Sequence, residues 1–196
     1  MSRLPSLGHS WRMSDRMKLR VIRLASGREP SDIMKLLFYR RDFFGDPFTA
    51  WVESVLRGPS DWTVGERELV AAFVSNLNQC RFCTTSHGAV AALEIDPEVI
   101  AAVQADWHTA PVGEPVRAAL ALAERLTLTP DQVTADDIEP LRAAGCSRDA
   151  IEDVINICGI FNTINRIADA VDFAVPDADG QAASARHLFK RGYSLG

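Results

Sequence analysis

An all-α fold follows from three observations on this chain. Apolar residues recur at helical spacing almost everywhere from Pro30 onward, residues suited to capping stand at the heads of those runs, and period-two alternation is confined to residues 17–21. With 196 residues, 47% of them hydrophobic, the chain can bury one core, so a single helical bundle over 30–175 is expected between a basic arm at 1–29 and a tail at 176–196.

Each element has its own signal. Ser31 stands where it can cap a helix over D-I-M-K-L-L-F-Y-R-R-D, and Asp46-Pro47 opens a second over F-T-A-W-V-E-S-V-L-R that Gly58 ends. Thr63 heads a third, whose apolar positions 69, 70, 73, 74 and 77 fit packing on one side. Asn76 and Asn78 then interrupt the apolar run, either of them suited to cap a new helix expected over about 79–93; with Asn78 as that cap, both cysteines would lie in its first turn. Asp96-Pro97 starts a short helix to about 105, and Gly113-Glu114-Pro115 starts one carrying V-R-A-A-L-A-L-A-E-R-L. Thr134 caps A-D-D-I-E-P-L-R-A-A before Gly145, and Ser147 begins a long helix reaching about Asp172. The tail reads as a linker, D-A-D-G-Q-A-A-S-A, followed by the basic and aromatic R-H-L-F-K-R-G-Y.

Composition excludes several function classes. A net charge of -5 and a pI near 5.4 argue against nucleic acid as a partner, and no apolar stretch approaches the roughly 18 residues of a membrane span. Four cysteines could form a disulfide scaffold, but a chain this long and this rich in Leu, Ile, Val and Ala needs none, and without a secretory apolar region a reducing, cytoplasmic setting is expected. The first 28 residues hold seven Arg or Lys against Asp15 alone, which is transit-peptide composition. The same bias fits an arm docked on its own domain or on a neighbouring subunit, a partly disordered extension, or a natural start at Met13 or Met17.

Chemistry concentrates in N-Q-C-R-F-C-T-T-S-H. On a helix Cys80, Cys83 and His87 fall within an arc of roughly 60°. Close to a helix N-terminus, with Arg81 adjacent, at least one thiol should be acidified and nucleophilic. Glu68 lies twelve residues earlier, and a chain reversal at 76–79 brings it back toward His87. C-x-x-C-x-x-x-H also offers three ligands to zinc, but no second Cys/His pair stands at ligand spacing, so no metal is expected. Cys146 and Cys158 read as small buried hydrophobes, and His9, His108 and His187 as surface residues. The aromatic cluster Phe38, Tyr39, Phe43, Phe44, Phe48 and Trp51 reads as core or subunit interface, and Arg166 is spaced to pair with Asp169.

On these residues the chain resembles the alkylhydroperoxidase D-like and carboxymuconolactone decarboxylase-like proteins. The spacing Glu68, Cys80, Cys83, His87 carries the resemblance, and S-x-L-N-x-C-x-[YF]-C-x-x-x-H, matched over 75–87, places it nearest the peroxidase-related branch. A second match is N-x-x-N-R-x-A-D-A at 162–170, where Asn162 and Asn165 are expected to be structural. The best-known members carry a second histidine between the cysteines; here Phe82 stands in that place. The resemblance implies a thiol-dependent peroxidase or disulfide oxidoreductase, with Cys83 attacking, Cys80 resolving, and Glu68 with His87 relaying the proton. It implies no cofactor beyond the cysteine pair, a lipoyl or thioredoxin-like dithiol reductant as partner, and a homo-oligomer, trimeric or hexameric. The alternatives are a lactone decarboxylase that stabilises an enolate, and a non-catalytic oligomeric module.

Overall fold

The structure, a computed structural model, describes residues 12–195, which form ten α-helices joined by short turns. The described residues contain no strand, so the all-α expectation holds. His9 and the start of the basic arm lie outside them.

At the centre is α4 (Val64–Leu77), every residue of which from Arg67 to Ser75 is buried. A helix buried on all sides must be sheathed by others. Around it stand α3 (Asp46–Arg57), α5 (Arg81–Ala91), α6 (Pro97–Asp106), α7 (Glu114–Leu128) and α9 (Arg148–Val171). Thr63 closes a capping box with Glu66 at the head of α4, and Asp96 and Ser147 cap α6 and α9 through their side chains. Gly65 lets α4 approach the end of α5: a Cβ there would lie 2.8 Å from Glu94 Cβ. No helix among the described residues is long and apolar enough to cross a membrane.

Four local expectations are corrected. Residues 17–21, read as strand-like, lie inside α1 (Met13–Ser26); five residues are too short a window to separate period two from helix, and Met, Lys, Leu and Arg favour the helix. Thr134 caps a single 3₁₀ turn, Ala135–Asp137, before the short α8 (Glu139–Ala143), because Pro140 cannot continue an earlier helix. The tail is no linker: Ala178–Arg191 form α10, capped by Asp177 and packed on α5. Ser31 precedes α2 (Asp32–Tyr39) without a side-chain bond; Asp32 instead accepts the backbone N–H of Ala174 at 2.9 Å, tying the chain beyond α9 to α2.

The turn between α4 and α5 sets up the thiols. Asn78 ends α4 and caps nothing in α5; its amide donates to Asn162 Oδ1 (3.1 Å) and Asn165 Oδ1 (3.0 Å) on α9. Gln79 takes a left-handed conformation, φ 59°, and reverses the chain. Cys80 therefore occupies the N-cap of α5 itself, one position outside the first turn expected for it.

Candidate active site

Cys80 and Cys83 are free thiols at the head of α5, 0% and 2% exposed. As N-cap and third helical residue they stand in the relation by which a cap side chain accepts from the helix start. Cys80 makes no side-chain capping hydrogen bond, yet the neighbouring Cys83 thiol and N–H both favour its thiolate. The Cys83 thiol is the larger influence and, with the N–H, outweighs burial and the nearby Asp169 carboxylate, so Cys80 lies below an ordinary thiol. The counterpart is that Cys83, donating to Cys80 and buried, is pushed well above one, only partly relieved by Asn165. Of the two, Cys80 is the thiol whose surroundings favour the thiolate.

One helical turn beyond Cys83, His87 Nδ1 lies 2.6 Å from Glu68 Oε2. The reversal at 78–80 brings α4 and α5 side by side, and Glu68, 0% exposed, meets the imidazole as the spacing predicted. Burial alone would raise the Glu68 carboxyl, but His87, Arg57 and Tyr193 around it hold it below the usual carboxylate range. The edge-on ring of Phe161, 4.5 Å between centroids, supports the imidazole from α9.

Two members of this cluster lie outside the expected set. Arg57, at the end of α3, donates from Nη2 to Glu68 Oε1 at 2.6 Å, and the Tyr193 hydroxyl, beyond α10, donates to the same oxygen at 2.7 Å. Burial beside Glu68 lifts the Tyr193 phenol well above its ordinary value, so it stays protonated and can donate. Arg57 closes the last turn of its helix as basic residues often do, and Tyr193 follows a glycine in a tail of mixed composition; neither carries a spacing signal.

Other expected residues fall where packing needs them. Phe82 meets Phe173 edge to face at 5.2 Å, so the side chain between the cysteines serves the core. Asn165 links Ser75 Oγ on α4 (3.0 Å) to Asn78, and Asn162 reaches Thr127 on α7, the structural roles expected of both. Arg166 turns back to Asn162 rather than pairing with Asp169, which instead faces the thiols. Cys158 is buried and its thiol pushed up to about 12 by that burial, whereas Cys146 is only half-buried. His108 and His187 are exposed, as read. Within the aromatic cluster Phe38 is core, Phe44 stacks on Phe48, and Phe43 and Trp51 stay exposed. Among the described residues no group of three or more His, Cys, Asp or Glu could hold a metal ion.

No protein-family model and no curated protein sequence matches the chain. Solved structures do. A peroxidase-related protein from Silicibacter sp. TM1040 is 26% identical with a TM-score of 0.75, the match covering 88% of this chain and 90% of the other. An alkylhydroperoxidase AhpD core, peroxidase-related protein from Ralstonia eutropha JMP134 is 25% identical over the same shares, also at 0.75. The debrominase Bmp8, at 18% identity and a TM-score of 0.66 over 90% of this chain and 94% of its own, shares the fold alone.

Proposed function

We propose, for a chain that belongs with the alkylhydroperoxidase D-like, peroxidase-related proteins, that it is a dithiol oxidoreductase reducing hydroperoxides or a partner disulfide. The observation that supports this most is a pair of free thiols sharing one helix with an imidazole held at 2.6 Å by a buried carboxylate.

Cys80, the more acidic thiol, attacks the outer oxygen of the hydroperoxide. The O–O bond breaks, the alkoxide takes a proton and leaves as alcohol, and Cys80 becomes a sulfenic acid. Cys83 then attacks that sulfur. To attack, the buried Cys83 thiol must lose its proton, and His87, one turn along the same face, takes it while Glu68 stabilises the imidazolium. Water leaves and the Cys80–Cys83 disulfide closes, the two electrons having passed from the thiols to the peroxide. A dithiol of lipoyl or thioredoxin-like type restores the pair by exchange. The thiols are the redox cofactor, the setting is the reducing cytoplasm, and the protein works as a homo-oligomer.

The test mixes reduced protein with one equivalent of an organic hydroperoxide, follows thiol loss and maps the product by mass spectrometry. Rapid loss of two thiols with a linked Cys80–Cys83 peptide is expected. Loss no faster than for a free thiol rejects peroxide as the oxidant. The depth of the thiols, at 0% and 2% exposure, favours a second reading, a non-catalytic helical module in which they serve packing. Oxidation of neither cysteine by hydroperoxide or by a disulfide would select it.

A further inference from the structure

The two oxygens of Glu68 do different work. Oε2 has the His87 contact, while Oε1 receives both Arg57 and the Tyr193 hydroxyl. That hydroxyl is also 3.3 Å from His87 Nδ1, so phenol, carboxylate and imidazole form one closed triangle.

The end of the chain is shaped to put the phenol there. Gly192 has φ 72° and ψ -156°, a region essentially reserved for glycine, and a Cβ at this position would run into the Glu53 carboxylate. Glu53 accepts the backbone N–H of Tyr193, and the Arg57 guanidinium lies over the Tyr193 ring at 4.9 Å while donating to the Leu188 carbonyl at 3.2 Å. Ring, backbone and preceding helix are each held by a group on α3. A tyrosine used only for filling would not need its hydroxyl aimed at a buried carboxylate.

We infer that Tyr193 is a positioning residue of the thiol site: with Arg57 it saturates Glu68 Oε1, so that Oε2 alone accepts the hydrogen bond from His87 Nδ1–H and Nε2 is left for the thiols. The inference rests on the dithiol reading above. Acting through Glu68, Tyr193 touches no reacting atom. The charged and titratable groups around the triangle include Arg57 and Glu53 from α3, Arg67 beside Glu68 on α4, and His87 itself from α5, while α9 sets the ring of Phe161 against the imidazole and Asp169 near the thiols.

Tyr193→Phe keeps the ring over Arg57 and removes the hydroxyl alone. Two readouts are needed: the Nδ1 proton resonance of His87 by NMR, which requires no turnover, and the rate of Cys80–Cys83 closure after sulfenic acid forms. The expected result is a displaced His87 resonance, closure slower by about tenfold, the scale of one hydrogen bond to a charged group, and a KM for hydroperoxide that does not move. A wild-type resonance, or a wild-type closure rate, overturns the inference, since a purely structural tyrosine lowers the melting temperature without touching either. Should the variant fail to fold, 3-fluorotyrosine at position 193 keeps the shape with a stronger donor and is expected to displace the resonance in the opposite sense; no displacement again overturns it. Failure of the dithiol reading itself shows in the unmutated protein, which would then form no disulfide with any oxidant.

Discussion

Cys83 lies three residues after Cys80, the N-cap of α5, and its neighbouring thiol and backbone N–H each favour the Cys80 thiolate, lowering its pKa. Together with burial of Cys83, this relation sets apart two chemically identical side chains.

Its removal is the first prediction. Cys83→Ala deletes the thiol donor but leaves the N–H, so the pH midpoint for alkylation of Cys80 should rise toward the ordinary value of about 8.5. A pH series of iodoacetamide labelling, read by mass spectrometry, measures it. A midpoint unchanged or lowered would mean that another group acidifies Cys80.

Glu68 links the site to stability. Its folded pKa lies below the unfolded one, so its contribution is complete above the unfolded value, about 4.3, and is lost as pH falls through the folded value. At pH 7, Glu68→Gln leaves the Arg57 charge, nine-tenths buried, without its carboxylate, and should cost about 3–5 kcal/mol. Urea unfolding at neutral pH and again below pH 4 should show the gap between variant and wild type narrowing as acid neutralises Glu68.

The polar seam between α4 and α9 should be nearly as sensitive. Asn165 is fully buried and serves Ser75 and Asn78 at 3.0 Å each, so Asn165→Ala should cost about 1–3 kcal/mol by stranding their polar groups. It also removes the group that eases the Cys83 thiol, so disulfide closure should slow as well. Denaturant unfolding and stopped-flow thiol oxidation check the two effects separately.

Gly192→Ala tests the anchoring of the tail. A side chain in that backbone region, directed at the Glu53 carboxylate, should cost about 1–3 kcal/mol. The loss should come with faster carboxypeptidase digestion of the last residues than in the wild type.

How far the sequence could be read depended on the reach of each contact. Helix heads were legible at Thr63, Asp96 and Ser147 because a cap and its partner lie within three residues. The Glu68–His87 pair spans 19 residues but follows from one reversal, so spacing sufficed. Tyr193 lies 125 residues from Glu68, and no local periodicity encodes that meeting. Helix α10 was hidden because Ala, Gly and Ser at 178–185 give an amphipathic face too weak to read. The position of Cys80 at the cap turned on one left-handed residue, Gln79, a type with no strong preference for that conformation.

The same 125-residue separation dates the assembly of the site during synthesis. At ribosomal speeds of roughly 5–20 residues per second, Tyr193 is added about 6–25 s after Glu68. Once α5 has followed α4, and until Tyr193 is added, the Glu68 carboxylate is still short of one donor, so every new molecule passes through a stage that has its thiols but not its finished relay.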